Sequence, residues 1–336
     1  MGRERNDREG DLELVLGSLA GDEEDVLAAL NRGRAAQGLE QRSRELWRWR
    51  AAAPDGAVLG LARSGADVRA VLVGVRHCVR LEGVLVPWIE VVDVFNDFTA
   101  GSGLARTRAL LDLADAFARE HGGTAPEKAN VLYGIPTRRA HRIGRARFKQ
   151  EILRSENALS VRPSSVVWTG NGFDVVEVER FGDEVEGLFR RYAEHRPAML
   201  VRDAERLDWR YADHPERDYR IALARRRGGE LVGYAVLRIG EYAGLTGGVL
   251  ADWMVLPEEA GAGMELLVWA GEVAREHDRL VLNVPDKSPE FALFQAVGFQ
   301  VSGTDEYLVF RGFQKPYVMS WLFAHWTYTL GDSERG

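Results

Sequence analysis

The stretch VVDVFNDFTAGSGLARTRALLDLADAF, residues 91–117, decides the fold. Val91, Val92, Val94 and Phe95 read as a buried strand, Gly101, Ser102 and Gly103 as a turn, and the residues from Leu104 as a helix. In that helix Leu110, Leu111, Ala114 and Phe117 recur at helical spacing. Glycine at a strand-to-helix turn permits positive φ and close backbone approach. The free N–H groups and positive dipole end of a first helical turn suit a phosphate, and Arg106 and Arg108 add positive charge. A simple tight turn is the alternative for a glycine pair taken alone.

The chain carries this pattern twice. VLADWMVLPEEAGAGMELLVWAGEVA, residues 249–274, is again strand, turn (Gly261, Ala262, Gly263) and helix. Trp49-Arg50 returns as Trp209-Arg210, and Gly21-Asp22-Glu23 as Gly182-Asp183-Glu184. The offsets are 160 (261 − 101), 160 (209 − 49) and 161 (182 − 21). Landmarks sharing nearly one offset imply two fused, diverged copies of one domain.

The 336 residues suffice for about two domains. A hydrophobic content of 46% and a charged content of 28% are those of a globular protein. The net charge of −7, from 44 basic and 51 acidic residues, argues against general nucleic-acid binding and suits a cationic amine. Cys78 is the only cysteine, so no intrachain disulfide forms, which fits a cytoplasmic setting. The charged start MGRERNDREGD lacks the apolar core of a signal peptide. No apolar run reaches the ~20 residues a membrane helix needs.

In chain order, residues 1–10 read as disordered, 11–165 as the first domain, 166–316 as the second and 317–336 as an aromatic tail packed on both. The boundary is placed near Ser165, in the polar segment SVRPSSVVWTGNG. Leu12–Leu16 read as a first strand, and Asp22 as the N-cap of the next helix. Strands follow near 57–63 and 68–76, a run at 81–93 leads into the decisive stretch, and Phe148–Leu153 closes the copy as a strand. The expected fold class is mixed α/β, each copy a mixed central sheet flanked by helices.

With the glycine turns and FALFQAVGF (291–299) in view, the chain resembles a tandem GNAT acyltransferase. In that superfamily a turn of pattern Arg-x-x-Gly-x-Gly/Ala follows the fourth strand and holds the pyrophosphate of acetyl-CoA through backbone N–H groups. A segment of type Ala-Leu-Tyr-x-x-x-Gly-Phe follows the fifth strand. Here Ala292-Leu293-Phe294 and Gly298-Phe299 match the latter, with Phe in place of Tyr, and YGIPTRRAHRIGRARF (133–148) looks like its counterpart. The departures are clear. Phe98, or Ala100 in the other register, stands where the turn arginine is expected, and Glu258 stands there in the second copy. The tyrosine that often serves as general acid is Phe294 in one copy and, by spacing, Ala140 in the other.

The resemblance implies an N-acyltransferase that uses acetyl-CoA or another acyl-CoA as co-substrate. Gly101, Ser102, Gly103, Leu104, Ala105 and Arg106 would hold the cofactor. The first copy is favoured because Glu258, Glu259 and Glu265 surround the second turn. Transfer to an amine needs a base, and carboxylates on an apolar strand are candidates: Asp93 first, then Glu90, with Asp252 the near-equivalent in the second copy. A structural hydrogen bond is the alternative for each. Tyr133 and His141 are candidate proton donors. Trp209, Tyr211 and His214 in WRYADHP are candidate substrate contacts, or an aromatic helix end. The histidines show no metal-ligand spacing, so no metal is expected. The acceptor is read as a small-molecule or amino-sugar amine. A catalytically silent binding or regulatory protein, and an aminoacyl transferase of the related tandem fold, are the other readings.

Overall fold

The computed structural model describes residues 12–97, 105–136, 141, 144–145, 148–170, 172–313 and 319–334. The first half runs β1 (Leu12–Ser18), α1 (Glu24–Ala35), α2 (Arg44–Ala51), β2 (Ala57–Ser64), β3 (Asp67–Leu81), β4 (Val84–Asn96), α3 (Ala105–His121), β5 (Val131–Gly134) and β6 (Glu151–Val161). The second runs β7 (Phe173–Val178), α4 (Glu184–Ala193), β8 (Ala198–Leu200), α5 (Ala204–Leu207) with a π-helical turn at Asp208–Ala212, β9 (Tyr219–Arg226), β10 (Leu231–Tyr242), β11 (Leu245–Val255), α6 (Ala260–Val273), β12 (Leu280–Leu282), α7 (Pro289–Val297) and β13 (Gln300–Gly312). The tail adds α8 (Met319–His325) and β14 (Trp326–Thr327).

Both halves build the same centre. β3 and β4 form a long antiparallel hairpin that turns at Glu82 and Gly83, whose φ angles are 47° and 87°. β10 and β11 turn likewise at Ala243 and Gly244, with φ 54° and 76°. Two successive positive φ values make the two-residue turn that matches strand twist, and glycine occupies the second place in both. Each hairpin then carries one β-bulge. Val73 pairs with Asp93 and Gly74 with Val91, so Val92 is the extra residue; Val236 pairs with Asp252 and Leu237 with Leu250, so Ala251 is. Asp93 and Asp252, offset in sequence relative to their glycine turns, hold the same place: each directly follows the bulge.

One mixed sheet spans the molecule in the order β1-β2-β3-β4-β5-β13-β6-β12-β11-β10-β9-β7. Its middle is an exchange. β6 pairs with β12 through Leu159, Ser160 and Val161, while β13 pairs with β5 through Val309–Gly312, and the two visitors pair with each other. β6 thus runs well past the short strand expected at Phe148–Leu153. The parallel pairs stop early: β4 meets β5 at Trp88, Ile89 and Glu90, and β11 meets β12 at Gly248, Val249 and Leu250. Beyond these residues the sheet parts in each half.

The helices follow the apolar faces. Val26, Ala29 and Leu30 of α1 and Trp47 of α2 bury against Val71, Val73 and Phe95 on one face. Leu110, Leu113, Ala114 and Phe117 of α3 bury against Val58, Leu72 and Ile89 on the other. Asp22 does not cap α1; Glu23 holds the N-cap position without a side-chain bond to the helix, its carboxylate instead accepting the N–H groups of Ala20 (2.8 Å) and Gly21 (3.0 Å) in the preceding turn. The FALFQAVGF segment is α7, opened by Ser288, whose hydroxyl accepts from the Phe291 N–H (3.1 Å), and closed by Gly298 at φ 108°. A junction core unites Trp88, Val131 and Tyr133 with Leu308, Phe310, Trp326 and Tyr328. Trp326 stacks on Trp88 with ring centroids 4.6 Å apart. Among the described residues no helix is long and apolar enough to cross a membrane.

Candidate functional site

Strand alternation alone would send Glu90 and Asp93, three residues apart, to opposite faces of β4. The bulge at Val92 restores them to one face, opposite α3. Both are buried. Asp93 meets three arginines: Arg50 of α2, Arg34 of α1 (Nη1 to Oδ1, 3.2 Å) and Arg42 (Nε to Oδ2, 3.3 Å). Burial alone would raise its carboxyl pKa, but Arg50 and Arg42 outweigh that and hold it below the ordinary range. A carboxylate so clamped takes up a proton poorly.

Glu90 has a different setting. Its Oε2 lies 3.6 Å from His77 Nε2 on β3, and its Oε1 accepts the Glu334 N–H (3.1 Å). His77 Nε2 is buried and has no hydrogen-bond partner among the described residues. Tyr133 pairs with Glu90 across β4 and β5 where the strands begin to part. Its hydroxyl donates to the Asp332 carbonyl (2.9 Å), and burial, with Glu90 and Asp332 nearby, raises its pKa well above that of a free phenol. Its proton is thus committed to the tail. Of the expected cofactor residues, Gly101, Ser102, Gly103 and Leu104 lie outside the described residues, and Ala105 and Arg106 open α3.

The second turn is described in full. Residues 256–259 alone link β11 to α6, whereas residues 97–104 link β4 to α3. A Cβ on Gly261 would sit 2.8 Å from the Phe173 ring, and one on Gly263 would sit 3.2 Å from Trp253. Glu259 is buried in an ion pair with Arg226, and Glu258 is exposed beside it. The turn is thus flanked by aromatic rings and two carboxylates.

Asp252 does not stand free. Its oxygens meet Arg202 Nε (3.3 Å) and Nη2 (3.2 Å), the Tyr234 hydroxyl (3.0 Å), the Thr329 hydroxyl (2.8 Å) and the Trp253 N–H (2.8 Å). Its pKa is lowered: burial opposes this and Arg202 outweighs it. Trp209 stacks on Trp49 with centroids 4.3 Å apart and planes 4° apart. Tyr211 is buried against Phe181 and Tyr219. His214 packs on Trp49, its Nδ1 accepting the Glu216 N–H (3.2 Å). Burial and the surrounding arginines, Arg210 and Arg217 foremost, depress its pKa to about 2, so it stays neutral. The WRYADHP residues therefore join the two halves to each other. His141 is also buried, its ring 5.6 Å from that of Tyr307.

Sequence reasoning placed an aromatic tail at 317–336 but missed the carboxylates it carries. Each bulge aspartate shares an arginine with a tail carboxylate: Asp93 and Glu334 share Arg50, Asp252 and Asp332 share Arg202. It also missed His77 and Glu156. Glu156 of β6 accepts from Tyr328 (2.6 Å) and Asn283 (2.9 Å) on Oε2, while its Oε1 has no hydrogen-bond partner among the described residues. It borders a cavity of about 20 Å³, lined also by Tyr133, Tyr242 and Asp332, with room for about one water. Burial lifts its pKa to about 7.

No protein-family model matches this sequence, and no curated protein does. Solved structures do match. A probable N-acyltransferase from Enterococcus faecalis, itself described as a conserved protein of unknown function, aligns with TM-score 0.64 and 13% identity over 90% of this chain and 73% of its own. A tandem GNAT protein from the clavulanic acid biosynthesis pathway aligns with TM-score 0.56 and 14% identity over 90% of this chain and 99% of its own. N-myristoyltransferase of Saccharomyces cerevisiae, with bound myristoyl-CoA, aligns with TM-score 0.55 and 12% identity over 89% and 78%. The bulged, parting strands at the centre of each half therefore belong to a GNAT fold. The chain is a tandem GNAT-fold protein, and at these identities the likeness speaks for the fold alone.

Proposed function

We propose that this protein is an acyl-CoA-dependent N-acyltransferase whose first half carries the reaction. The observation behind this reading is Glu90: a buried carboxylate on the bulged strand, beside the point where β4 and β5 part, with no arginine among the described residues claiming it in the way three claim Asp93. An ammonium acceptor must lose a proton before it can attack, and a positioned carboxylate supplies that step. The order expected from sequence thus reverses. Glu90 is the base, and Asp93 is a positioning residue that holds Arg34, Arg42 and Arg50. The amine nitrogen then attacks the thioester carbonyl carbon; the C–N bond forms as the C–S bond breaks. The thiolate leaves as a stable anion, and the second proton, which the nitrogen sheds as the amide forms, passes to it through water, so Tyr133 is not required as the acid.

The acyl-CoA, as co-substrate, would lie with its pyrophosphate at Gly101–Arg106 and the start of α3. The longer connection there and the flanked second turn support the first half over the second. We also infer that the two halves arose by duplication, with the boundary near Ser165. The matching hairpin turns at 82–83 and 243–244, offset by 161 (243 − 82), support this, as do the two bulges.

Calorimetry with acetyl-CoA and desulfo-CoA tests the reading. Gly103→Asp should abolish binding through crowding and charge repulsion. Gly263→Asp is a poor control for the second half, because it would bury a carboxylate against Trp253. Ala260→Asp, at the exposed first turn of α6, should leave binding intact. Absence of binding in the native protein would favour the catalytically silent reading, and loss only in Ala260→Asp would move the site to the second half.

A further inference from the structure

The tail reaches the arginines paired with the bulge aspartates of both halves, and its two acids are held differently. Asp332 is locked: its carboxylate caps the turn at Thr329, taking that residue's N–H (2.9 Å), and meets Arg202 twice at 2.8 Å. The side chains of Arg202 and Asp332 are only 5% and 8% exposed. Glu334 is held by guanidinium groups. Among the described residues its carboxylate is met by the fork of Arg50 and, at 3.8 Å, by Arg42 Nη2. Arg50 is fully buried, yet Glu334 and Arg42 are 17% and 23% exposed, so this pocket reaches the surface. At the other end of the same residue, the Glu334 N–H points at Glu90.

One residue therefore offers an N–H to the carboxylate read above as the base, and a carboxylate to a buried arginine fork. We propose that Glu334 stands in for the acceptor: the pocket takes a small primary amine that bears a carboxylate, and the tail leaves it before transfer. This rests on the acyltransferase reading of the first half for the transfer itself, though not for binding. The spacing to be matched is that between a glutamate's own backbone nitrogen and its side-chain carboxylate, which is the spacing in 4-aminobutyrate. The amine would meet Glu90, and the carboxylate would meet Arg50 and Arg42. A bidentate guanidinium–carboxylate pair is geometrically selective. A buried guanidinium that loses one of its two carboxylates is strongly driven to regain one. Arg50 is that group once Glu334 withdraws, because its other edge remains on Asp93.

The test uses the full chain with Glu334→Ala, and Glu334→Gln as the variant that keeps the shape. The probes are 4-aminobutyrate and n-butylamine, read by calorimetry and thermal melting without an acyl donor. The expected result is that 4-aminobutyrate binds both variants at least ten-fold more tightly than it binds the native protein. It should also restore melting temperature lost in Glu334→Ala, while n-butylamine gains nothing. No gain for 4-aminobutyrate in either variant overturns the proposal. An equal gain for n-butylamine overturns it too, because the carboxylate would then not be recognised. Since no acyl donor enters these measurements, failure of acetyl-CoA to bind would remove the acyltransferase reading without touching this result. Where acetyl-CoA does bind, CoA release with 4-aminobutyrate should rise about ten-fold in Glu334→Ala over the native protein.

Discussion

Trp49 and Trp209 hold each other by the same bond twice: the indole N–H of Trp49 donates to the Trp209 carbonyl (2.7 Å), and that of Trp209 donates to the Trp49 carbonyl (2.9 Å). Their rings stack between those bonds. A contact in which i meets j as j meets i is the mark of a two-fold interface, here inside one chain. The halves are therefore tied at equivalent residues. Replacing either Trp with Phe should remove one reciprocal hydrogen bond at about 1 kcal/mol. In a double-mutant cycle measured by urea unfolding, Trp49→Ala and Trp209→Ala should couple by about 0.5–3 kcal/mol. Additive losses would mean that the stack contributes packing area only.

Asp93 is the hub for Arg34, Arg42 and Arg50, and Asp93→Asn leaves these three guanidinium groups with Glu334 as the carboxylate between them. Removing one member of a buried ion-pair group costs about 3–5 kcal/mol, and the variant should lose that much in urea unfolding. The pH dependence has a defined sign. The folded-state pKa of Asp93 lies below its unfolded value. Its stabilising contribution is thus present above the ordinary carboxylate pKa and is lost as pH falls through the folded value. The native protein should therefore lose stability toward low pH more steeply than Asp93→Asn does. Parallel acid limbs would remove Asp93 as the source.

Glu156 predicts the opposite slope. Its folded pKa of about 7 exceeds the ordinary 4.5, because burial outweighs the hydrogen bonds of Tyr328 and Asn283 and the charge of Arg154. The native state then holds a proton that the unfolded state has released, so stability from this group falls as pH rises from about 4.5 through about 7. Glu156→Gln should flatten that stretch of the melting-temperature profile and raise stability at pH 8 by on the order of 2–3 kcal/mol. An unchanged profile would mean that the carboxylate is ionised in the fold at neutral pH.

These contacts also show which features a sequence can reveal. The paired Trp-Arg landmarks were legible because both copies keep the residues that join them. The strands and helices around Val91–Phe117 were legible because each buries one apolar face with a regular period. The exchange of β6 and β13 was not, since a strand's pattern states which face is buried and leaves its neighbour open. The bulges escaped for a related reason: an extra residue shows only through the pairing it disrupts. Arg50, next to a buried Trp, did carry a signal, because a buried guanidinium demands carboxylates. Its partners, Asp93 and Glu334, lie 43 and 284 residues away.

The remaining prediction separates Glu90 from Asp93 in the reaction. If Glu90 takes the acceptor's proton, Glu90→Gln keeps the shape of the side chain and its acceptance of the Glu334 N–H, yet loses the basic oxygen pair. Turnover should then fall by roughly 10²–10⁴-fold, the usual size of positioned acid–base catalysis. Acetyl-CoA affinity should hold, since the cofactor is expected at the α3 turn. Asp93→Asn, by contrast, should act through stability and acceptor affinity: turnover per folded molecule at saturating acceptor should stay within a few-fold of the native protein. Measuring kcat for both variants, with folded fractions set by circular dichroism, decides between them. A large fall of kcat in Asp93→Asn with near-native kcat in Glu90→Gln would return the base to Asp93. It would also require one of the three arginines to withdraw from Asp93 when substrate binds.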